Sequence, residues 1–178
     1  MRHVTCDIIT NTHFWAYRNL ADLIFCWKRF IDDVFLIFLG TVEQLQQFHD
    51  YLNNSHETMK FDNPQYNYDK KSCDFLDLTV TIDKGKITTD LYKKPTDVPS
   101  ALLPSSAHPG HVSPNLVFSM AFRLLRICSS PELFENRLGE LKNTVLIPRG
   151  YKYSVIKAAF DKVRKITRTE ALKKTDKK

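Results

Sequence analysis

The chain has 178 residues, 43% hydrophobic and 26% charged, which is enough apolar content for a packed core and excludes wholesale disorder. Its longest purely apolar run, Val34 to Leu39, is far short of the roughly 20 residues of a spanning helix, and the stretch Met1 to Asp7 holds no signal-peptide core. An intracellular setting, nuclear or cytoplasmic, is therefore expected, with no membrane partner. The net charge of +6 is concentrated at the end: residues 161–178 carry eight Lys/Arg against three Asp/Glu, and a basic tail of this kind attracts phosphate backbones or simply remains solvated.

Residues 1–26 form an unplaced N-terminal segment with no clean period. Trp27 to Ile31 and Val34 to Leu39 read as two short β-runs bent at Asp32-Asp33, with Gly40 ending the second. Thr41-Val42-Glu43-Gln44 has capping-box spacing, and Val42, Leu45, Phe48 and Leu52 recur at helical intervals, so a helix is predicted over 42–54. Phe75 to Ile82 is β-rich, Asp83 to Lys86 makes a turn, and Ile87 to Tyr92 returns as a partner strand.

Pro95, Pro99, Pro104 and Pro109 stiffen the next stretch, and residues 98–113 are expected to be a connector. Three helices are predicted beyond it, over 114–168. The first starts at Ser113-Pro114, with Ser as N-cap and Pro at the first helical position; Ser130-Pro131-Glu132 repeats the signal. Val155, Ile156, Ala159, Val163 and Ile166 outline the third. Short helices with brief turns make a helix-turn-helix-like module, leaving 169–178 as the basic tail.

Four cysteines (Cys6, Cys26, Cys73, Cys128) show no CxxC spacing and read as reduced thiols. His108, His111 and Cys128 raise the question of zinc, but a structural site needs four ligands in close pairs. No zinc is expected.

The residues with the most pointed chemistry are Phe30-Ile31-Asp32-Asp33, between two hydrophobic strands. Two adjacent acids at a hairpin turn are poor turn residues, because both central positions favour positive φ and the like charges repel. A divalent cation would relieve that repulsion. Magnesium is hard and prefers carboxylate oxygen, and phosphoryl transfer by two Mg²⁺ ions about 3.5–4 Å apart needs acids held rigidly. Taken alone, the same tetrapeptide reads equally as an exposed turn with two solvated aspartates.

Trp27-Lys28-Arg29-Phe30-Ile31-Asp32-Asp33-Val34-Phe35 resembles the metal-binding box of Penelope-like reverse transcriptases, and further boxes follow in the same order. They are Leu52-Asn53 with His56 and Lys60-Phe61, then Phe75-Leu76-Asp77, Gly85 to Thr89, and Leu91-Tyr92-Lys93-Lys94-Pro95-Thr96-Asp97. His108 to His111, Arg123, Arg126 to Ser129 and Arg149-Gly150-Tyr151 complete a similarity over roughly residues 26–165.

The resemblance implies an RNA-directed DNA polymerase with an α+β fold. Residues 27–97 would be a partial reverse-transcriptase palm, a small antiparallel sheet with a packed helix. Residues 114–168 would be a three-helix, thumb-like helix-turn-helix module. It implies Asp32 as principal ligand for Mg²⁺ or Mn²⁺, Asp33 as its neighbour, and Phe30 beside the primer end. Tyr92, Lys93 and Lys94 would lie near the primer backbone, and Arg123 and Arg126 on a template–primer duplex, where a plain surface role is the alternative. A-form duplexes are held through shape and backbone, so Lys and Arg on helix faces suffice.

Such a polymerase also needs fingers and an earlier catalytic carboxylate, and only 31 residues precede Asp32. Asp7 superficially resembles that earlier acid, or is simply an acid in an unplaced segment. No GIY-YIG-like endonuclease signature follows the helices. The expectation is a fragment inactive alone, working with the missing polymerase half, or else a non-catalytic nucleic-acid-binding helix-turn-helix remnant.

Overall fold

The chain is α+β, with two small antiparallel sheets and several helices, in the computed structural model, which describes residues 18–67, 70–98 and 100–173. It divides between Gln65 and Tyr66 into two units. No helix among the described residues is long and apolar enough to cross a membrane.

The first unit contains α1 (Arg18–Ala21), β1 (Ile24–Phe30), β2 (Asp33–Phe38) and α2 (Val42–Asn54). β1 and β2 are antiparallel, with Trp27 opposite Leu36, Arg29 opposite Val34 and Phe30 opposite Asp33. The bend expected at Asp32-Asp33 is therefore at Ile31-Asp32, and Asp33 is already the first residue of β2. Thr41 and Gln44 form the expected capping box, and α2 spans 42–54 as its periodicity predicts. Its first apolar residue, Val42, is exposed, whereas Phe48 and Leu52 are buried.

One face of the hairpin packs on α2. Trp27 meets Phe48 and Phe61 edge-on, with ring centroids 6.1 and 6.4 Å apart, and Phe38 stacks on Phe48 at 6.1 Å. The chain leaving α2 is pinned back onto it by Asn53, whose Oδ1 accepts from the Phe61 amide at 2.6 Å while Nδ2 donates to the Phe61 carbonyl at 3.1 Å. Lys60 donates to the carbonyls of Asn53 and His56 at the end of α2, where a cation complements the helix dipole.

The second unit opens with a meander, β3 (Ser72–Phe75), β4 (Leu78–Asp83) and β5 (Lys86–Leu91), in that spatial order. A continuous strand over 75–82 was expected. Instead Leu76-Asp77 forms a turn, with Leu76 at φ +56°, and Phe75 pairs with Leu78 across it. Positive φ is hard to anticipate at a branched aliphatic residue. The β4–β5 turn follows the usual chemistry, with Lys84 and Gly85 both at positive φ (+46° and +74°).

The helices are α3 (Val112–Ile127), α4 (Pro131–Glu140), a π-helical continuation (Leu141–Leu146), α5 (Tyr153–Arg164) and α6 (Arg168–Leu172). α3 starts two residues before Pro114, which the first turn tolerates because its amides need no helical partner. Ser130 caps α4 as expected, accepting from the Leu133 amide, with Pro131 at the first helical position. The last helix lies partly in the stretch expected to be tail, and a second capping box, Thr167 with Glu170, starts it. Val117, Ala121, Leu138, Leu146, Ile156 and Val163 form the buried centre, against which Leu78 and Leu91 of the meander also pack.

Candidate nucleic-acid interface

The hairpin tip is built by alternation. Trp27 and Leu36 face α2, so Phe30 and Asp33, opposite each other at the end of the ladder, belong to the other face. Ile31 carries the reversal at φ +54° and is 73% exposed. A β-branched residue in that region is strained, and Arg29 braces it by donating from Nε to the Ile31 carbonyl at 2.6 Å. Phe30, Asp32 and Asp33 are all exposed. Sequence reasoning assigned Arg29 no role beyond its place in a box; its reach to Ile31 depends on the turn.

Among the described residues no cluster of three or more His, Cys, Asp or Glu is placed to hold a metal ion. Asp32 in the turn and Asp33 at the start of β2 are two adjacent carboxylates at the tip. Asp7 lies outside the described residues.

The other candidates lie in the second unit. Tyr92 is half-buried and donates its amide to the Asp77 carbonyl at 3.0 Å. Lys93 is held by Glu140, Nζ to Oε1 at 2.5 Å, whereas Lys94 is exposed. Arg123 donates from Nε (3.0 Å) and Nη2 to Asp77 Oδ2, tying α3 to the β3–β4 turn. Arg126, one turn further along α3, is exposed and has no ion pair among the described residues. Both Arg123 and Asp77 are substantially exposed, so this pair contributes little to stability and leaves the guanidinium accessible.

The sheet meets the helices through a polar seam that the sequence did not reveal. Thr89 donates from Oγ1 to the Ile127 carbonyl at 2.6 Å and exchanges hydrogen bonds with Ser129. Beside it, Arg137 donates to both oxygens of Asp90 and to Glu140. Burial pushes the Asp90 carboxyl up, but hydrogen bonds from Arg137 and the Leu91 amide outweigh it and hold the group below its ordinary value. Glu140 is also held low, first by Lys93 and then by Arg137. Burial and the neighbouring Asp90 raise the Cys128 thiol to about 11, so it is inert as a nucleophile at neutral pH. Tyr151 donates to the Leu102 carbonyl at 2.7 Å, anchoring the Pro-rich stretch to the helices.

Residues 101–147 match the animal helix-turn-helix domain family. No curated protein and no solved structure matches the chain. The matched segment takes in α3, the break at 128–130, α4 and the π-helical continuation, and it ends before α5.

Proposed function

We propose that the helical unit binds nucleic acid, gripping the phosphate backbone of a duplex. The observation that carries this reading is the match of residues 101–147 to a helix-turn-helix family over the part of the chain where α3 exposes Arg123 and Arg126 on one side. Guanidinium groups suit phosphate, because their fork of donors meets two oxygens at once. Backbone contacts position a protein without reading sequence. The test is fluorescence anisotropy of the full chain on labelled duplex DNA, duplex RNA and RNA–DNA hybrid across a salt series. Binding that weakens log-linearly with salt is expected; no binding to any of them at low salt would sink the reading.

A second reading rests on the hairpin tip. Two adjacent exposed carboxylates sit beside a strained Ile31, within a run that resembles the metal box of Penelope-like reverse transcriptases. In this reading Asp32 and Asp33 hold Mg²⁺ or Mn²⁺, which would orient and neutralise the triphosphate. Phe30 borders the primer end, and Tyr92, Lys93 and Lys94 border its backbone on a template–primer substrate. The chain would then act as part of an RNA-directed DNA polymerase, completed by a further polymerase segment. Primer extension on an RNA template with Mg²⁺ or Mn²⁺, compared with Asp32→Ala, decides it. Extension lost in the variant supports polymerisation, and extension unchanged by the substitution removes Asp32 from the chemistry.

A further inference from the structure

We infer that a second surface of the helical unit, formed by the π-helical continuation and the outer side of α5, contacts the duplex backbone through Lys142, Lys152, Tyr153 and Lys157. This rests on the nucleic-acid reading above and extends it beyond the segment that matches the helix-turn-helix family.

Charge pattern is the first support. Residues 141–160 contain no Asp or Glu while carrying Lys142, Arg149, Lys152 and Lys157, whereas α4 just before them carries Glu132, Glu135 and Glu140. The acidic helix would repel phosphate, and the acid-free stretch would attract it.

Geometry is the second. α5 spends its apolar side on the core, through Ile156, Ala159, Phe160 and Val163. Its opposite side carries Tyr153, Ser154, Lys157, Ala158 and Lys162, all exposed. Tyr153 is 62% exposed, so its ring and hydroxyl are accessible from this side. The Lys142 ammonium lies 6.0 Å from the centre of that ring, so a residue of the π-helical continuation and the first residue of α5 form one patch. Lys157 follows Tyr153 by four residues and therefore lies on the same side of the helix. Its ion pair with Asp161, at 3.3 Å, is solvent-exposed and easily exchanged for a phosphate. Alongside, a groove of about 460 Å³ between α3 and α5, lined by Phe118, Ser154, Ala158 and Lys162, gives this side a concave edge.

These groups suit phosphate contact. Lysine ammoniums act as point charges on flexible stems, and a tyrosine hydroxyl donates to phosphate oxygen, so they confer grip with little sequence preference. Each phosphate neutralised releases counterions, and each lysine removed lowers the log–log salt slope by about one.

The experiment compares three full-length proteins on the same duplex: wild type, the triple variant Lys142→Ala/Lys152→Ala/Lys157→Ala, and the pair Arg123→Ala/Arg126→Ala. Circular dichroism melts check that each variant is folded. The triple variant is expected to bind at least about tenfold more weakly near 0.15 M salt, with a salt slope lower by about two to three. Tyr153→Phe, which keeps the ring under Lys142, is expected to lose only a few-fold. A folded triple variant that binds like wild type overturns this surface and leaves the nucleic-acid reading standing on α3. Tighter binding of a single strand than of the duplex, lost in Tyr153→Ala, overturns the duplex assignment in favour of base stacking. Failure of wild type to bind any nucleic acid removes the reading and this inference together.

Discussion

Arg137 on α4 donates to both carboxylate oxygens of Asp90 at the end of β5, Nε at 2.9 Å and Nη2 at 2.7 Å, and its remaining nitrogen donates to Glu140 at 2.7 Å. One planar guanidinium thus joins a strand, a helix and, through Glu140, Lys93. Each of these side chains is only partly exposed, so the bonds are worth more than surface ion pairs.

Replacing Arg137 by Met keeps much of the length but strips Asp90 and Glu140 of their shared partner. A loss of about 2–3 kcal/mol is expected, below the 3–5 of a fully buried pair because water reaches these carboxylates. Urea unfolding measures it, and a change under about 0.5 kcal/mol would show that the seam does not hold the sheet to the helices. Arg137→Lys should recover only part, because an ammonium cannot form the fork.

Acid should loosen the same seam. Asp90 and Glu140 are both held below their ordinary values of 3.8 and 4.5. A carboxylate with a lowered folded pKa contributes stability that is present above its unfolded pKa and lost as pH falls through the folded one. Unfolding midpoints should therefore drop as pH falls below about 4.5 and continue to drop past 3.8. Arg137→Met should flatten that profile, and an equally steep profile in the variant would place the acid sensitivity elsewhere.

Two neighbours at the end of the π-helical continuation differ sharply in burial. Leu146 is completely buried, while Ile147 is half exposed. Leu146→Ala should cost about 2–5 kcal/mol, and Ile147→Ala should stay within about 1 kcal/mol. Comparable losses at both positions in urea titrations would show that Ile147 packs as deeply as Leu146.

Ile31 buries little and sits at φ +54°. Glycine there removes a strain of roughly 1–3 kcal/mol against an entropic cost of roughly 0.5–1 kcal/mol. Ile31→Gly should be neutral to mildly stabilising, read as unchanged or slower hydrogen exchange at the amides around the Phe30–Asp33 pair. Markedly faster exchange would show that the isoleucine side chain, rather than its backbone, is needed at the tip.

Signals that act over three or four residues were legible in the sequence. The Thr41–Gln44 box, the Ser130-Pro131 start and the 42–54 periodicity all appear in the structure, because a capping hydroxyl and the amide it serves are close in the chain. The Asp32–Asp33 pair was visible too, but not that Ile31 rather than Asp33 would share the turn with Asp32. Which residues accept positive φ depends on the strand register, and that is set by burying Trp27 and Leu36 against α2. For the same reason the turn at Leu76-Asp77 was hidden inside an apparently continuous β-run.

By itself the sequence determined the α+β class, the helix starts at Val42 and Pro131, and the acid-free stretch between Leu141 and Phe160. Only the tertiary structure decided the partners. Asp77 meets Arg123, Asp90 meets Arg137, and Lys142 comes over Tyr153, none of them neighbours in the chain. Charge and hydropathy patterns record where a group stands along the chain. Which opposite charge or ring it reaches is settled by packing the meander and helices around Val117, Leu138, Leu146 and Ile156.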